Sequence, residues 1–261
     1  MKPQSKKDFP WWLVATGVLG LMAYGAVLTD EVQAQVLRTL LKGVQITVFV
    51  TLVGFVLASV IGMGVALMSL SRSLVLRQIA RFYTEILRGI PILVLLLYVA
   101  FVLAPGMVAG WNWLAVHLGI EPLRVRDFSL LWRAILALTI GYSAFIAEVF
   151  RAGLLSVDEG QIEAAEALGL SRSQVFRLVV LPQAIRTILP PLGNDFVAMV
   201  KDSSLVSVLG VLDVTQLGKV TSAGNFRYFE TYNVVALIYL TMTITLSLLL
   251  RRLEARLRDK P

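Results

Sequence analysis

Apolar residues occur along the chain in long uninterrupted runs, separated by shorter stretches that hold most of the charges. A helix needs about 20 mostly apolar residues to cross the hydrocarbon core of a bilayer. Six runs reach or approach this length, so the sequence predicts six membrane-spanning helices. The predicted spans are 11–28, 43–71, 89–104, 129–150, 188 to about 212, and 231–250.

Two of these runs leave a choice of interpretation. The third stays uncharged as far as Ile120, but Pro105 and Gly106 interrupt it, so residues after 104 are predicted to form an exposed loop. The first run follows a basic N-terminus and resembles a signal peptide. Because it has no clear small-x-small cleavage site, and because Trp11 and Trp12 are typical of a membrane interface, a retained anchor is favoured.

The basic residues predict the orientation of the spans. Six spans place both ends of the chain on one side of the membrane. The two terminal tails and the loops after the second and fourth spans hold sixteen Lys and Arg, against seven on the opposite side. Basic residues collect on cytoplasmic loops, so both termini are expected in the cytoplasm. The net charge of +7 is therefore mostly an orientation signal, and nucleic-acid binding is not implied.

Composition agrees with a membrane protein. Hydrophobic residues make up 57% of the chain and charged residues 16%, against about 45–50% and about 25% in soluble domains. The mean hydropathy is +0.77. These values exclude a soluble enzyme and a disordered chain. The sequence has no cysteine, which excludes disulfides and thiolate metal sites, and its single histidine, His117, disfavours a histidine metal cluster.

The fifth predicted span is unusually polar for a membrane segment. Charges inside a span are costly and are usually functional or paired. Asp195 and Asp202 are seven residues apart and share one helical face, so they either line a water-filled cavity or brace neighbouring helices. Glu148 with Arg151 presents the same choice at the end of the fourth span, whereas Arg88 is expected to extend towards the interface. The polar residues of the fifth span are Asn194, Asp195, Lys201, Asp202, Ser203 and Ser204.

Small residues recur every fourth position in the second span. Gly54, Ala58, Gly62 and Ala66 share one helical face, which allows another helix to approach closely. This face either packs within the chain or forms a subunit interface.

The segment 151–186 is too long for a simple connector between spans. Ser156 and Glu159 have the spacing of a capping box, and 162–168 is rich in helix formers. Gly169 is placed to end this helix, and a second helix is predicted over 174–180, ending before Pro182. The segment is either a rigid projection, where Ala164, Ala165 and Ala167 let another protein approach, or an amphipathic linker.

This segment resembles the signature loop of the permease subunits of ABC importers. That pattern is Glu-Ala-Ala, three residues, Gly, nine residues, then Ile-x-Leu-Pro. Three flanking stretches are similar to the polar amino-acid subfamily, and the resemblance runs from about Leu40 to the C-terminus. Val179 replaces Ile in the loop, and Leu95 stands where the subfamily often has Gln. The matching residues are Glu163-Ala164-Ala165, Gly169 and Val179-Val180-Leu181-Pro182, with Arg88-Gly89-Ile90-Pro91, Ala147-Glu148-Val149-Phe150-Arg151 and Lys201-Asp202-Ser203-Ser204-Leu205 in the flanks.

The resemblance implies an all-α, multi-pass protein of the bacterial cytoplasmic membrane. Residues 41–261 would form the five-helix core of a type I importer, with a coupling loop at 151–186. Residues 1–40 would be a cytoplasmic tail and one extra membrane helix. A second permease, identical or homologous, would complete the path, and an extracytoplasmic binding protein would deliver an amino acid.

The resemblance also implies roles for particular residues. Two ATP-binding subunits would dock on the loop, with coupling carried by Asp158, Gly160, Glu163, Ala164, Ala165, Gly169, Leu181 and Pro182. The substrate path would involve Arg88, Glu148, Asn194, Asp195, Lys201, Asp202, Ser203 and Ser204. The chain has no Gly-x4-Gly-Lys-Ser/Thr loop, so ATP and magnesium are expected on the partner subunits, and no cofactor or enzymatic activity is expected in this chain.

Two other transport functions remain open from the residues. A proton-driven secondary transporter would use the intramembrane carboxylates as relays. An ABC permease for another small solute would keep the loop and differ only in the flanking stretches. A membrane enzyme is disfavoured, since the chain lacks a His-Glu-x-x-His motif and an activated Ser or Cys arrangement.

Overall fold

The computed structural model describes residues 11–258, with side chains described to residue 255. The predicted cytoplasmic bases Lys2, Lys6, Lys7 and Lys260, with the side chains of Arg256 and Arg258, lie outside this part. Every regular element in it is helical. The α-helices are α1 (Trp11–Thr29), α2 (Glu31–Ser69), α3 (Leu74–Gly89), α4 (Ile92–Tyr98), α5 (Ala104–Leu118), α6 (Leu130–Leu154), α7 (Glu159–Ala167), α8 (Arg172–Val175), α9 (Leu181–Asp202), α10 (Val214–Asn225) and α11 (Tyr228–Arg258).

Six helical stretches of the described chain are long and apolar enough to cross a membrane. This confirms the predicted number of spans. The stretches are Trp11–Thr29, Glu31–Ser69, Ile92–Leu118, Leu130–Leu154, Arg172–Leu209 and Tyr228–Ala255.

The third and fifth of these stretches are longer than predicted, because helices pass through two prolines expected to stop them. A π-helical turn precedes each proline: Val99–Leu103 before Pro105, and Phe176–Val180 before Pro182. In both turns the next residue donates its N–H five residues back, which changes the local hydrogen-bond register. Proline is tolerated where its missing N–H is not needed. The predicted exposed loop after residue 104 and the predicted helix end before Pro182 are therefore wrong.

Helix α6 lies at the centre of the fold, and most of its side chains are buried. Helix α2 packs along it through the small-residue face. A Cβ atom on Gly62 would lie 2.9 Å from the backbone oxygen of Ser143, and one on Gly54 would lie 2.8 Å from the Met199 side chain. Ala58 is fully buried. The face therefore serves packing within the chain.

A second packing unit joins α1 and α11, the first and last helices of the described chain. The Tyr24 hydroxyl lies 2.9 Å from the Thr241 hydroxyl, and the Arg251 guanidinium lies 5.3 Å from the centre of the Trp12 ring. The start of α1 and the end of α11 therefore lie on the same side of the molecule, as six spans require. That this side is cytoplasmic stays a prediction.

Candidate functional site

A break between α3 and α4 borders the main candidate site of the protein. Helix α3 ends at Gly89, and α4 begins at Ile92. Between them Ile90 and Pro91 are extended, with ψ values of 127° and 135°. A residue before proline is disfavoured in the α-helical region, so the Ile90-Pro91 pair explains why the helix stops here.

The break borders a cavity of about 550 Å³, which we call the charged cavity. Three parts of the chain form its walls: the α3–α4 break, α6 and α9. Apolar groups dominate the lining, and a few charged groups converge on it, as is typical of small-ligand sites. The lining residues are Leu87, Arg88, Gly89, Ile90, Pro91, Ile92, Tyr142, Phe145, Asp195, Ala198 and Asp202.

Opposite charges meet in the charged cavity. The Tyr142 hydroxyl donates a hydrogen bond of 2.7 Å to Oδ2 of Asp202. The Oδ2 atom of Asp195 is buried and has no hydrogen-bond partner within the described part of the chain. The Arg88 guanidinium lies 5.6 Å from the centre of the Phe145 ring. The cavity thus presents one cation and two carboxylates to a ligand.

Asp195 and Asp202 lie on the same side of α9, as their spacing predicts. Lys201 does not join them. It lines a separate crevice of about 280 Å³ between α9 and α11, with Trp12, Thr243 and Arg251 among its neighbours. The polar residues of the fifth span therefore divide between two faces.

The other predicted path residues lie outside the charged cavity. Ser203 is buried, and its hydroxyl donates to the Val200 carbonyl at 2.7 Å. Asn194 is exposed and Ser204 is half-buried. Glu148 forms an ion pair with Arg151, in which Oε2 accepts hydrogen bonds of 3.0 and 2.7 Å.

Sequence reasoning missed Tyr142 and Phe145. Both lie in an otherwise ordinary apolar span, and no charge or repeat distinguishes them. A hydroxyl in an apolar helix was the one available signal, because a buried tyrosine hydroxyl usually has a hydrogen-bond partner.

The segment 151–186 forms a projection beyond the helix bundle. Helix α7 is capped by Asp158, whose side chain accepts a hydrogen bond of 2.8 Å from the Gly160 N–H. The predicted capping role of Ser156 is wrong, because its hydroxyl donates to Gly153 and Thr187 instead. Gly169 has a φ of +79° and follows the end of α7, which confirms its predicted role in ending the helix.

The outer surface of α7 is available to a partner. Glu163, Ala164 and Ala167 are exposed, and Leu168 is 83% exposed. Ala165 is buried against the chain itself, so its predicted contact with another protein is not possible in this conformation. Of the three predicted alanines, Ala164 and Ala167 are therefore accessible to a partner.

Two side-chain contacts connect α7 and the turn before it to α9. The Gln183 amide donates a hydrogen bond of 2.6 Å to the side-chain oxygen of Gln161. The Ser156 hydroxyl donates to the Thr187 hydroxyl at 3.1 Å. Since α9 also holds Asp195 and Asp202, the projection and the charged cavity share one helix.

Comparison with known proteins identifies the family. The family model described as "Binding-protein-dependent transport system inner membrane component" matches residues 54–259. The chain belongs to this family. The matched residues include the small-residue face, the charged cavity and the projection.

Named members of the family resemble most of this chain. It is 35% identical over 225 residues to the "Probable amino-acid permease protein YxeN" of Bacillus subtilis (strain 168), covering 85% of this chain and 92% of the relative. It is also 35% identical to the "Glutamine transport system permease protein GlnP" of Escherichia coli (strain K12), over 84% of this chain and 93% of the relative.

A solved structure agrees. A chain of the structure described as "Crystal structure of an amino acid ABC transporter with histidines" superposes on this one with a TM-score of 0.70 at 35% identity, covering 84% of this chain and 94% of that one. These findings confirm the resemblance to ABC importer permeases that the signature loop predicts.

Proposed function

We propose that this inner membrane component is the permease subunit of an ATP-driven importer and forms the path for an amino acid. The charged cavity carries the proposal, because Arg88 faces the same space as Asp195 and Asp202. A free amino acid has one carboxylate and one ammonium group. Arg88 is suited to the carboxylate, and Asp202 or Asp195 to the ammonium.

The proposed substrate is a polar amino acid. One relative is named as a glutamine permease and another as an amino-acid permease. Asp202 is held by Tyr142, and Asp195 lines the same cavity on the same face of α9. Lys201 is assigned to helix bracing in the crevice with α11. Asn194, Ser203, Ser204 and Glu148 are assigned to positions along or beside the path.

The energy comes from partner subunits in this proposal. Two ATP-binding subunits bind ATP and magnesium and dock on α7, where Asp158, Gly160, Glu163 and Ala164 form the contact surface. Ala165, Leu181 and Pro182 hold the projection to the rest of the chain. Movement of α7 passes through Gln161–Gln183 and Ser156–Thr187 to α9 and so to the walls of the charged cavity.

The same family membership supports the proposed assembly. A second permease, identical or homologous, completes the path in the bacterial cytoplasmic membrane, and an extracytoplasmic binding protein delivers the amino acid. Both termini and the projection lie in the cytoplasm. Residues 41–261 form the core, and the helix within residues 1–40 is an addition to it.

Reconstitution of the complete complex in liposomes tests the proposal. Uptake of a panel of labelled amino acids is measured with and without ATP, for the wild type and for Arg88→Gln. We expect uptake that requires ATP and falls at least tenfold in Arg88→Gln. Uptake by this chain alone, without ATP or partner subunits, would instead favour an ion-coupled secondary transporter.

A further inference from the structure

A second pocket, of about 330 Å³, lies on the other side of Arg88 from the charged cavity. We call it the polar pocket. Its walls are the ends of α2 and α6 and one face of α3. Its lining is almost entirely polar, unlike that of the charged cavity. The lining residues are Ser69, Arg77, Gln78, Arg81, Thr84, Glu85, Arg88, Glu148 and Arg151.

Arg88 lines both spaces and therefore forms their common wall. Helix α6 also contributes residues to both spaces. On α6, Tyr142 and Phe145 line the charged cavity, and Glu148 and Arg151 line the polar pocket. These four residues follow one another at intervals of three. The groove between α3 and α6 thus runs from the charged cavity towards the start of segment 151–186.

Some of the charged side chains in the polar pocket already bind other groups of the protein. Arg77 donates hydrogen bonds to the backbone oxygens of Ser71 and Arg72, at 3.0 and 2.8 Å. Arg151 is paired with Glu148 at 2.7 Å. These contacts fix the far wall of the pocket and leave little free charge there.

Arg81 and Glu85 are different. Both are exposed to the pocket, and neither forms an ion pair within the part of the chain that the structure describes. They are four residues apart on α3, and Arg88 is three residues beyond Glu85. Residues at this spacing are neighbours on one helical face. A free cation and a free carboxylate therefore follow Arg88 along the groove.

We propose that Arg81 and Glu85 form a second binding station for the amino acid, on its way from the charged cavity to the side of segment 151–186. The station rests on the proposed function. The carboxylate of the amino acid passes from Arg88 to Arg81, and its ammonium group binds Glu85. No covalent bond forms or breaks. A volume of about 330 Å³ lies within the size range of small-ligand pockets, about 300–1,000 Å³.

The mixture of charges favours a zwitterion over a simple anion. A pocket for phosphate or an anionic lipid headgroup would be expected to present cations alone, whereas Glu85 and Glu148 lie among the arginines here. An amino acid has both signs of charge and is neutral overall. Ligands with both charges satisfy the two free side chains together.

The test separates binding from release in the complete complex. Amino-acid binding is measured on the detergent-purified complex, and maximal uptake rate and KM are measured in liposomes. The variants are Arg81→Gln, Glu85→Gln and the charge-preserving Arg81→Lys. Arg126→Gln is the matched control, because Arg126 is an exposed arginine in the connector before α6, far along the chain from the groove.

We expect Arg81→Gln and Glu85→Gln to lower the maximal uptake rate at least fivefold while binding affinity changes less than twofold. Arg81→Lys should recover most of the rate, and Arg126→Gln should match the wild type. Wild-type maximal rates in both neutral variants would overturn the station. A parallel loss of binding affinity would also overturn it, because Arg81 and Glu85 would then belong to the first site. If the wild-type complex imports no amino acid, it is the proposed function that fails.

Discussion

The hydroxyl oxygen of Tyr142 and the Oδ2 atom of Asp202 lie 2.7 Å apart, and this hydrogen bond joins α6 to α9 at the charged cavity. It holds one of the two cavity carboxylates in a fixed position. Because the two helices belong to different parts of the chain, the hydrogen bond is also a tertiary contact between α9 and the central helix α6.

Removal of the Tyr142 hydroxyl tests whether Asp202 binds substrate or braces helices. In Tyr142→Phe the carboxylate loses a hydrogen bond, and such bonds to charged groups contribute about 1.5–3 kcal/mol. We expect at least a tenfold rise in the KM of uptake. Asp202→Asn keeps an acceptor for Tyr142 but removes the charge. Unchanged substrate affinity in Asp202→Asn, with lowered thermal stability in Tyr142→Phe, would assign Asp202 to bracing.

Gly169 provides a test of the projection's backbone. Its φ is +79°, and a Cβ atom there would meet nothing within 4 Å, so only the backbone conformation opposes a side chain. The left-handed conformation costs most residues about 1–2 kcal/mol, and more for β-branched ones. In a complex that contains Gly169→Val, we expect the partner subunits to hydrolyse ATP with little amino-acid uptake. Gly169→Asn, which tolerates this conformation, should stay coupled; normally coupled uptake in Gly169→Val would contradict the prediction.

Two neighbouring glycines of α2 provide a matched pair for packing. A Cβ atom on Gly62 would lie 2.9 Å from the Ser143 backbone oxygen, whereas one on Gly64 would lie in open space. Overpacking costs about 1–3 kcal/mol. We expect Gly62→Ala to lower the thermal unfolding temperature in detergent and Gly64→Ala to leave it unchanged or raised. Equal unfolding temperatures would show that α2 and α6 adjust freely.

The carboxyl group of Asp213 links stability to pH. It is fully buried before α10, and this burial raises its pKa, although the Gln216 N–H hydrogen bond at 2.8 Å acts in the opposite direction. The folded chain therefore holds this proton more tightly than the unfolded chain. The contribution of Asp213 to the free energy of unfolding is therefore greatest below about pH 4 and decreases as the pH rises above that value.

The neutral variant Asp213→Asn isolates this effect. Relative to the wild type, the unfolding temperature of Asp213→Asn should rise as the pH increases from about 4 to 7. The pH dependence of the difference removes the contribution of other carboxylates. A difference that does not vary with pH would mean that Asp213 has the same pKa in both states.

The contact between Gln161 and Gln183 tests transmission from α7 to α9. The two side chains are 2.6 Å apart. A neutral hydrogen bond contributes about 1 kcal/mol, which corresponds to about fivefold. We expect Gln183→Leu to raise the ATP hydrolysed per amino acid imported by up to about fivefold. If the contact carries the coupling, the double variant with Gln161→Leu should be no worse than either single variant.

Local chemistry explains how much of the fold could be predicted. The six spans follow from the requirement that backbone polar groups be satisfied within a helix in lipid, which apolar runs of about 20 residues reveal. The turn at Gly169 follows from glycine's tolerance of positive φ, and the shared face of Asp195 and Asp202 follows from helical periodicity. Each of these depends on residues close together in the chain.

Two π-helical turns and contacts between distant residues decided the rest. Pro105 and Pro182 look like helix ends in sequence, but π-helical turns carry the helices through them. Lys201 and Asp202 are adjacent in sequence, yet the packing of α11 and α6 assigns them to different spaces. The role of Tyr142 depends on a partner 60 residues away. Periodicity fixes directions around a helix axis, whereas only packing fixes which neighbour lies in each direction.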